Sequence, residues 1–304
     1  MLRLGLLFSI ACALTACLGG GGGGDASDGG ATDDAAVDPC AEQVCGAQAH
    51  CEAGECVCDD GLVRDGLDCV PEPEGDMGVL AEDVCARWRA DHVEVMPEWQ
   101  ATGGEACDEG LVPEAAQRNG LRRLNLYRAL AGLEPAQLDE GALPVVQACA
   151  VLQDALRGLT HDPQPDAPCW SEAGAQGSRE SNLSGGSGLA GSVDAYVRDD
   201  GVGSLGHRRW VLDPRLRRTA FGLKQRFSCM HVFGRGEAPP VERVTWPPAG
   251  MVPVQAAAGR WSVAFFTATA ADALEIALAI DGGGFTVAPF DVLEPGFGTA
   301  PVTL

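Results

Sequence analysis

The chain has 304 residues, enough for one core and an accessory module, and its Lys+Arg total of 21 against Asp+Glu 43 gives a formal net charge of -22. A surface that acidic repels DNA, RNA and anionic lipid, which excludes a nucleic-acid binder first. Aromatic residues at 6% are too few for a stacking platform, and 13 cysteines point to an oxidising compartment.

Residues 2–16, LRLGLLFSIACALTA, place one arginine ahead of an apolar run that ends in small residues, the layout of an export signal. The run is too short to span a bilayer and stay there. Leu14-Thr15-Ala16-Cys17 resembles a bacterial lipobox. The resemblance implies that residues 1–16 are removed and that Cys17 is acylated. The expected product is an exported lipoprotein, held on the lipid bilayer at the outer membrane or cell surface, since Leu18 rather than Asp follows the anchor. The alternative is an ordinary secretory signal cleaved nearby. Residues 17–39 add six consecutive glycines and a scatter of aspartates with no aromatic, a flexible acidic tether.

Cys40, Cys45, Cys51, Cys56, Cys58 and Cys69 then fall within 30 residues. A segment this short has almost no apolar core, so bridges must hold it, and spacing does not choose among the pairings. The Cys-x-Cys at 56–58 and the glycine-bearing stretch before Cys69 resemble an EGF-like module. That resemblance implies bridges Cys40–Cys51, Cys45–Cys56 and Cys58–Cys69. The acidic signature of a calcium-binding EGF module is not clearly present. Residues 70–84 read as a linker.

The main domain is placed at 85–237. Cys85 and Cys107, flanking Trp88 and Trp99, read as a bridge that staples a lead-in segment. Residues 113–130 predict a helix with Pro113 in its first turn and Gly132 past its end. Residues 142–158 predict a second, with Val145, Cys149, Leu152 and Leu156 on one stripe. Residues 188–200 predict a third, and 216–233 switch to strand-like alternation. Helices followed by paired strands predict an α+β domain or layered α-β-α arrangement. Of the five cysteines from Cys85 onward, Cys149, Cys169 and Cys229 leave one odd thiol, and Cys149 on its apolar stripe is the expected buried free one. Residues 238–304 predict a small β-rich addendum without a chemical signature.

The polar residues gather in few places. His161 follows the second helix, Glu180 and Asn182 sit in SRESNLSGG, Asp199 ends the third helix, and His207 lies in SLGHRRWVLDP. Imidazole and carboxylate are zinc ligand types, and they also form mutually hydrogen-bonded sets that line a cleft. Neither H-x-x-x-H nor H-E-x-x-H spacing occurs. Arg208 and Arg209 are expected to pair with the abundant acids. Asn125 and Arg128, three apart on one helix face, are expected to tie loops to the core. Cys229 and His231 share a strand face.

These motifs, Asn125-x-x-Arg128, Leu138-Asp139, His161, Glu180-Ser181-Asn182 and Gly206-His207-Arg208-Arg209, taken in order, resemble the CAP superfamily of cysteine-rich secretory and pathogenesis-related 1-like proteins, in its bacterial form. The likeness spans roughly residues 114–235. It implies a three-layer α-β-α sandwich and a cleft of two histidines and two acids: His161, His207, Glu180 and Asp199, with Asn125, Arg128, Asn182 and Arg208 in support. Two departures stand out. Ser181 splits the family's Glu-Asn pair, and Asp199, a turn after Tyr196, is one methylene shorter than the family's Glu.

No nucleophile elbow, phosphate loop or dinucleotide fingerprint occurs. The expectation is an anchored, non-enzymatic binding module for a small apolar molecule or surface protein, with no required cofactor. The alternative is a zinc-dependent hydrolase using the four cleft residues, with His161 and His207 as metal ligands.

Overall fold

The computed structural model describes residues 5–8, four strands between 49 and 71, and residues 81–304 apart from 238–239, 268, 272–273 and 279–285. The chain divides into two compact units, residues 17–78 and the remainder. In the smaller unit, Ala49–Glu52 pairs with Glu55–Cys58 and Leu62–Asp65 with Asp68–Pro71, two antiparallel hairpins. Cys40, Cys45, the acylation site Cys17 and the side chains of the other cysteines in the EGF-like reading, and with them its bridges, lie outside what is described.

The larger unit is α+β. Among the described residues it carries six α-helices: α1 Ala81–Asp91, α2 Glu114–Leu130, α3 Leu143–Leu156, α4 Glu172–Glu180, α5 Gly188–Arg198 and α6 Gly206–Val211. None is long and apolar enough to cross a membrane. The three predicted helices appear as α2, α3 and α5. The segment read as linker already contains the start of α1, where Val84, Cys85 and Trp88 form a buried strip.

A three-stranded antiparallel sheet lies at the centre, with Phe227–His231 between Ser181–Gly185 and Phe221–Lys224. Both α3 and α5 pack on these strands, and α2 packs on α5. The core between α3 and the sheet is Val146, Cys149, Ala150, Leu183, Ala220 and Cys229. The backbones approach closely there. A Cβ on Gly222 would stand 2.0 Å from the Val146 carbonyl oxygen, and one on Gly177 of α4 would stand 2.4 Å from that of Val145. Small residues are needed where α3 is wedged between helix and strand.

The cysteine pairing differs from expectation. Cys107 bonds to Cys169, and Cys149 bonds to Cys229. Cys85 is disulfide-bonded as well, and not to Cys107. All five cysteines from Cys85 onward are therefore bridged, and Cys149 is not a free thiol. Its apolar stripe does bury it, but the same stripe sets it opposite Cys229 on the sheet.

A buried ionic cluster joins α2 to α5. Arg123, with no side-chain exposure, pairs with Asp194 of α5 and with Glu94 at 3.0 Å. Tyr127 donates to the same Asp194 carboxylate at 2.8 Å. Burial pushes the Asp194 carboxyl up, but hydrogen bonds from His92, Tyr127 and Arg123 and the Arg123 charge outweigh it, so its pKa lies below the ordinary value.

The C-terminal residues form a second antiparallel sheet, with Ser262–Phe265 between Arg243–Trp246 and Val302–Thr303. Glu275–Leu278 pairs with Thr286–Ala288 on one side and with Gly5–Phe8 on the other. Strands therefore stand in the stretches that sequence patterning marked as β.

Candidate functional site

Five residues, Ser178–Asn182, organise the site as α4 ends and the central sheet begins. The turn after α3 brings His161 to them. Gln153 is wholly buried on α3, where its amide accepts from the Thr160 N–H and donates to the Thr160 carbonyl and to Ser178 Oγ. That clamp places His161 beside α4, where its Nδ1 lies 2.7 Å from the Ser178 carbonyl oxygen. A carbonyl can only accept, so Nδ1 is the donor.

His207 comes from the other side. It is the second residue of α6, and its Nδ1 lies 2.7 Å from Asp199 Oδ1. Asp199 is buried at the C-terminus of α5 in the left-handed conformation, φ 52°. Its second oxygen accepts the Arg208 N–H at 3.2 Å. The His207 ring stacks on Tyr196 at 5.4 Å, and Tyr196 in turn donates to the Asn182 carbonyl at 3.0 Å. The Asn182 amide donates to the His207 carbonyl at 3.0 Å. Asn182 thus fixes both the ring and the backbone of the His207 segment.

Glu180 joins neither His161 nor His207 by a hydrogen bond or ion pair. Its carboxylate accepts from Gln176 and stands 3.6 Å from Nε2 of His231. His231 pairs with Ser181 across the sheet, which brings the two side chains together. Burial lowers the His231 pKa, and the Glu180 charge only partly offsets it. The acid expected to serve the cleft histidines is therefore spoken for by a histidine that sequence reading left without a role. The shared strand face of Cys229 and His231 is the signal that pointed there. Gln153 was also missed, although an amide within an apolar helical stripe marks a buried polar contact.

The supporting residues bind backbone. Asn125 exchanges hydrogen bonds with the Ala136 N–H and carbonyl. Arg128, fully buried, donates to the carbonyls of Glu134, Val211 and Asp213. Arg208 and Arg209 do not pair with acid side chains as expected. Arg208 donates to the carbonyls of Val197, Arg198 and Arg260 and to Ser262 Oγ, and Arg209 to those of Ser204 and Glu294. The segment is buried, and it is carbonyls that stand where the two guanidiniums reach. Desolvation lowers the Arg208 pKa to about 10. The two arginines stitch the C-terminal sheet onto the main domain.

Chemically, His161 and His207 each have Nδ1 committed to a hydrogen bond, the way a metal-binding histidine is held by its other ring nitrogen. A catalytic zinc takes three protein ligands. Among the described residues, no group of three or more His, Cys, Asp or Glu side chains is placed to hold a metal ion.

No family model, curated protein or solved structure matches the chain.

Proposed function

We propose that this is an exported lipoprotein, anchored through acylated Cys17, that displays a CAP-like domain as a non-enzymatic binding module for a small apolar molecule or a surface protein. The EGF-like module would serve as spacer. The α-β-α sandwich reading draws support from α3 and α5 both packing on the central strands. The functional reading rests on one observation: the two imidazoles are held by structural partners, His161 by a backbone carbonyl and His207 by a buried aspartate, with Glu180 drawn off to His231. Among the described residues, no serine hydroxyl or thiol hydrogen-bonds to either imidazole, so nothing there resembles an activated nucleophile.

The competing reading, a zinc-dependent hydrolase on His161, His207, Glu180 and Asp199, has in its favour that both Nε2 atoms make no hydrogen bond among the described residues, where no third ligand joins them. Elemental analysis of the whole dialysed protein, beside a His161→Ala, His207→Ala double variant, separates the two. The binding-module reading expects zinc well below one per chain in both proteins. One zinc per chain, lost in the double variant, would overturn it in favour of the hydrolase.

A further inference from the structure

A cavity of about 330 Å³ opens in the C-terminal region, beside the strand Ser262–Phe265. That volume is at the lower end of the range for small-molecule sites, roughly 300–1,000 Å³. Ile276, Phe290 and Leu304 supply apolar wall, and Trp261, 47% exposed, presents an indole at the opening. Two charges also line it. Arg260 is turned onto the main domain, where its guanidinium donates to the carbonyls of Val202 and Gly203 at 3.1–3.3 Å. Asp291 is exposed and makes no hydrogen bond or ion pair among the described residues.

The cavity thus combines a half-exposed tryptophan, apolar wall residues and one uncommitted carboxylate, in a chain of net charge -22. Those features suit an organic cation, whose charge is attracted by a ring face and a carboxylate while its body leaves water. We infer that this cavity is a binding site for a small amphipathic amine, with the apolar body against Ile276, Phe290 and Leu304 and the ammonium between Trp261 and Asp291. The inference rests on the binding-module reading but moves the ligand from the histidine cleft to the C-terminal sheet. Leu205, two residues before His207, also lines the cavity, so the occupant would touch the segment that carries that cleft.

The test uses the whole chain carrying Cys17→Ser, which keeps acyl groups out of the measurement. It is titrated with 4-phenylbutylamine, 4-phenylbutanol and 4-phenylbutyrate, a cation, a neutral and an anion of like shape, and followed by tryptophan fluorescence and calorimetry. The amine should bind tightest, about fivefold ahead of the alcohol, as a partly exposed ion pair allows. Asp291→Asn should erase that preference, and Trp261→Ala should weaken the amine by about threefold or more. Absence of saturable binding, equal affinity for the three, or a preference for the butyrate would each overturn the inference. So would an amine preference that survives Asp291→Asn. Binding that ignores Trp261→Ala and is lost in His161→Ala, His207→Ala would overturn the cavity as the site while leaving the binding-module reading standing.

Discussion

The contact between α2 and α5 and the seam with the C-terminal sheet both bury arginines, and they satisfy them by different means. Between α2 and α5, Arg123 meets the carboxylates of Asp194 and Glu94, so charge is answered by charge. At the seam, the Arg208 and Arg209 guanidiniums donate to carbonyls and one hydroxyl, and Arg209 also lies over the Phe297 ring, while Asp199 takes the Arg208 backbone N–H. An ion pair couples two elements strongly, and removing one partner strands the other in a poor solvent. A fan of carbonyl bonds couples several chain segments more weakly, and each bond lost costs less.

Four measurements sharpen that contrast. Asp194→Ala leaves the buried Arg123 with only the exposed Glu94 carboxylate and the Val93 carbonyl, and should cost about 3–5 kcal/mol in denaturant unfolding. A loss below about 1 kcal/mol would show that the pair is not what joins α2 to α5. Replacing Cys149 and Cys229 together by alanine opens a loop of sequence separation 80 and should cost about 2–4 kcal/mol. If the double variant matches wild type in the reduced and oxidised forms alike, the bridge does not form. Arg208→Gln should cost about 1.5–3 kcal/mol. In limited proteolysis, cleavage should begin within residues 243–304 before the helices are cut. Simultaneous loss of both regions would mean that the seam is not a separate point of weakness.

The smallest effect concerns His231. Burial depresses its folded pKa below the ordinary 6.5, so the unfolded chain takes up a proton first as pH falls. Its contribution is therefore full above about pH 7 and declines as pH drops through the unfolded value toward the folded one. His231→Gln should flatten the fall in urea midpoint as pH drops through about 6.5. An unchanged slope would show that His231 titrates alike in both states.

The sequence was informative where the signal is local. Pro113 before α2, the Cys149–Leu152 stripe of α3 and the alternation in Phe227–His231 each report their element because burial imposes a period on neighbouring residues. It was silent on α4, whose EAGAQGSRE carries no apolar stripe: Gly174 and Gly177 are there so that the backbone can lie close on α3, and small residues leave no periodic trace. The disulfides were misread because pairing depends on which elements meet in space, and Cys149 looked like any buried residue of its stripe. At the site, the local signals located His161, His207 and Asp199, whereas the partnership of Glu180 with His231 needed the strand register that sets Ser181 opposite His231.

Asp199 closes α5 with a positive φ of 52°. Residues with a β-carbon are uncomfortable there, and aspartate and asparagine are among the few that settle in it readily. The shorter acid at this position is thus a demand of backbone handedness as well as of reach to His207. Substitution tables would rank glutamate as the mild change because it keeps the charge. Here asparagine is the milder one for the fold and glutamate the harsher, so tolerance at residue 199 should follow conformation before charge.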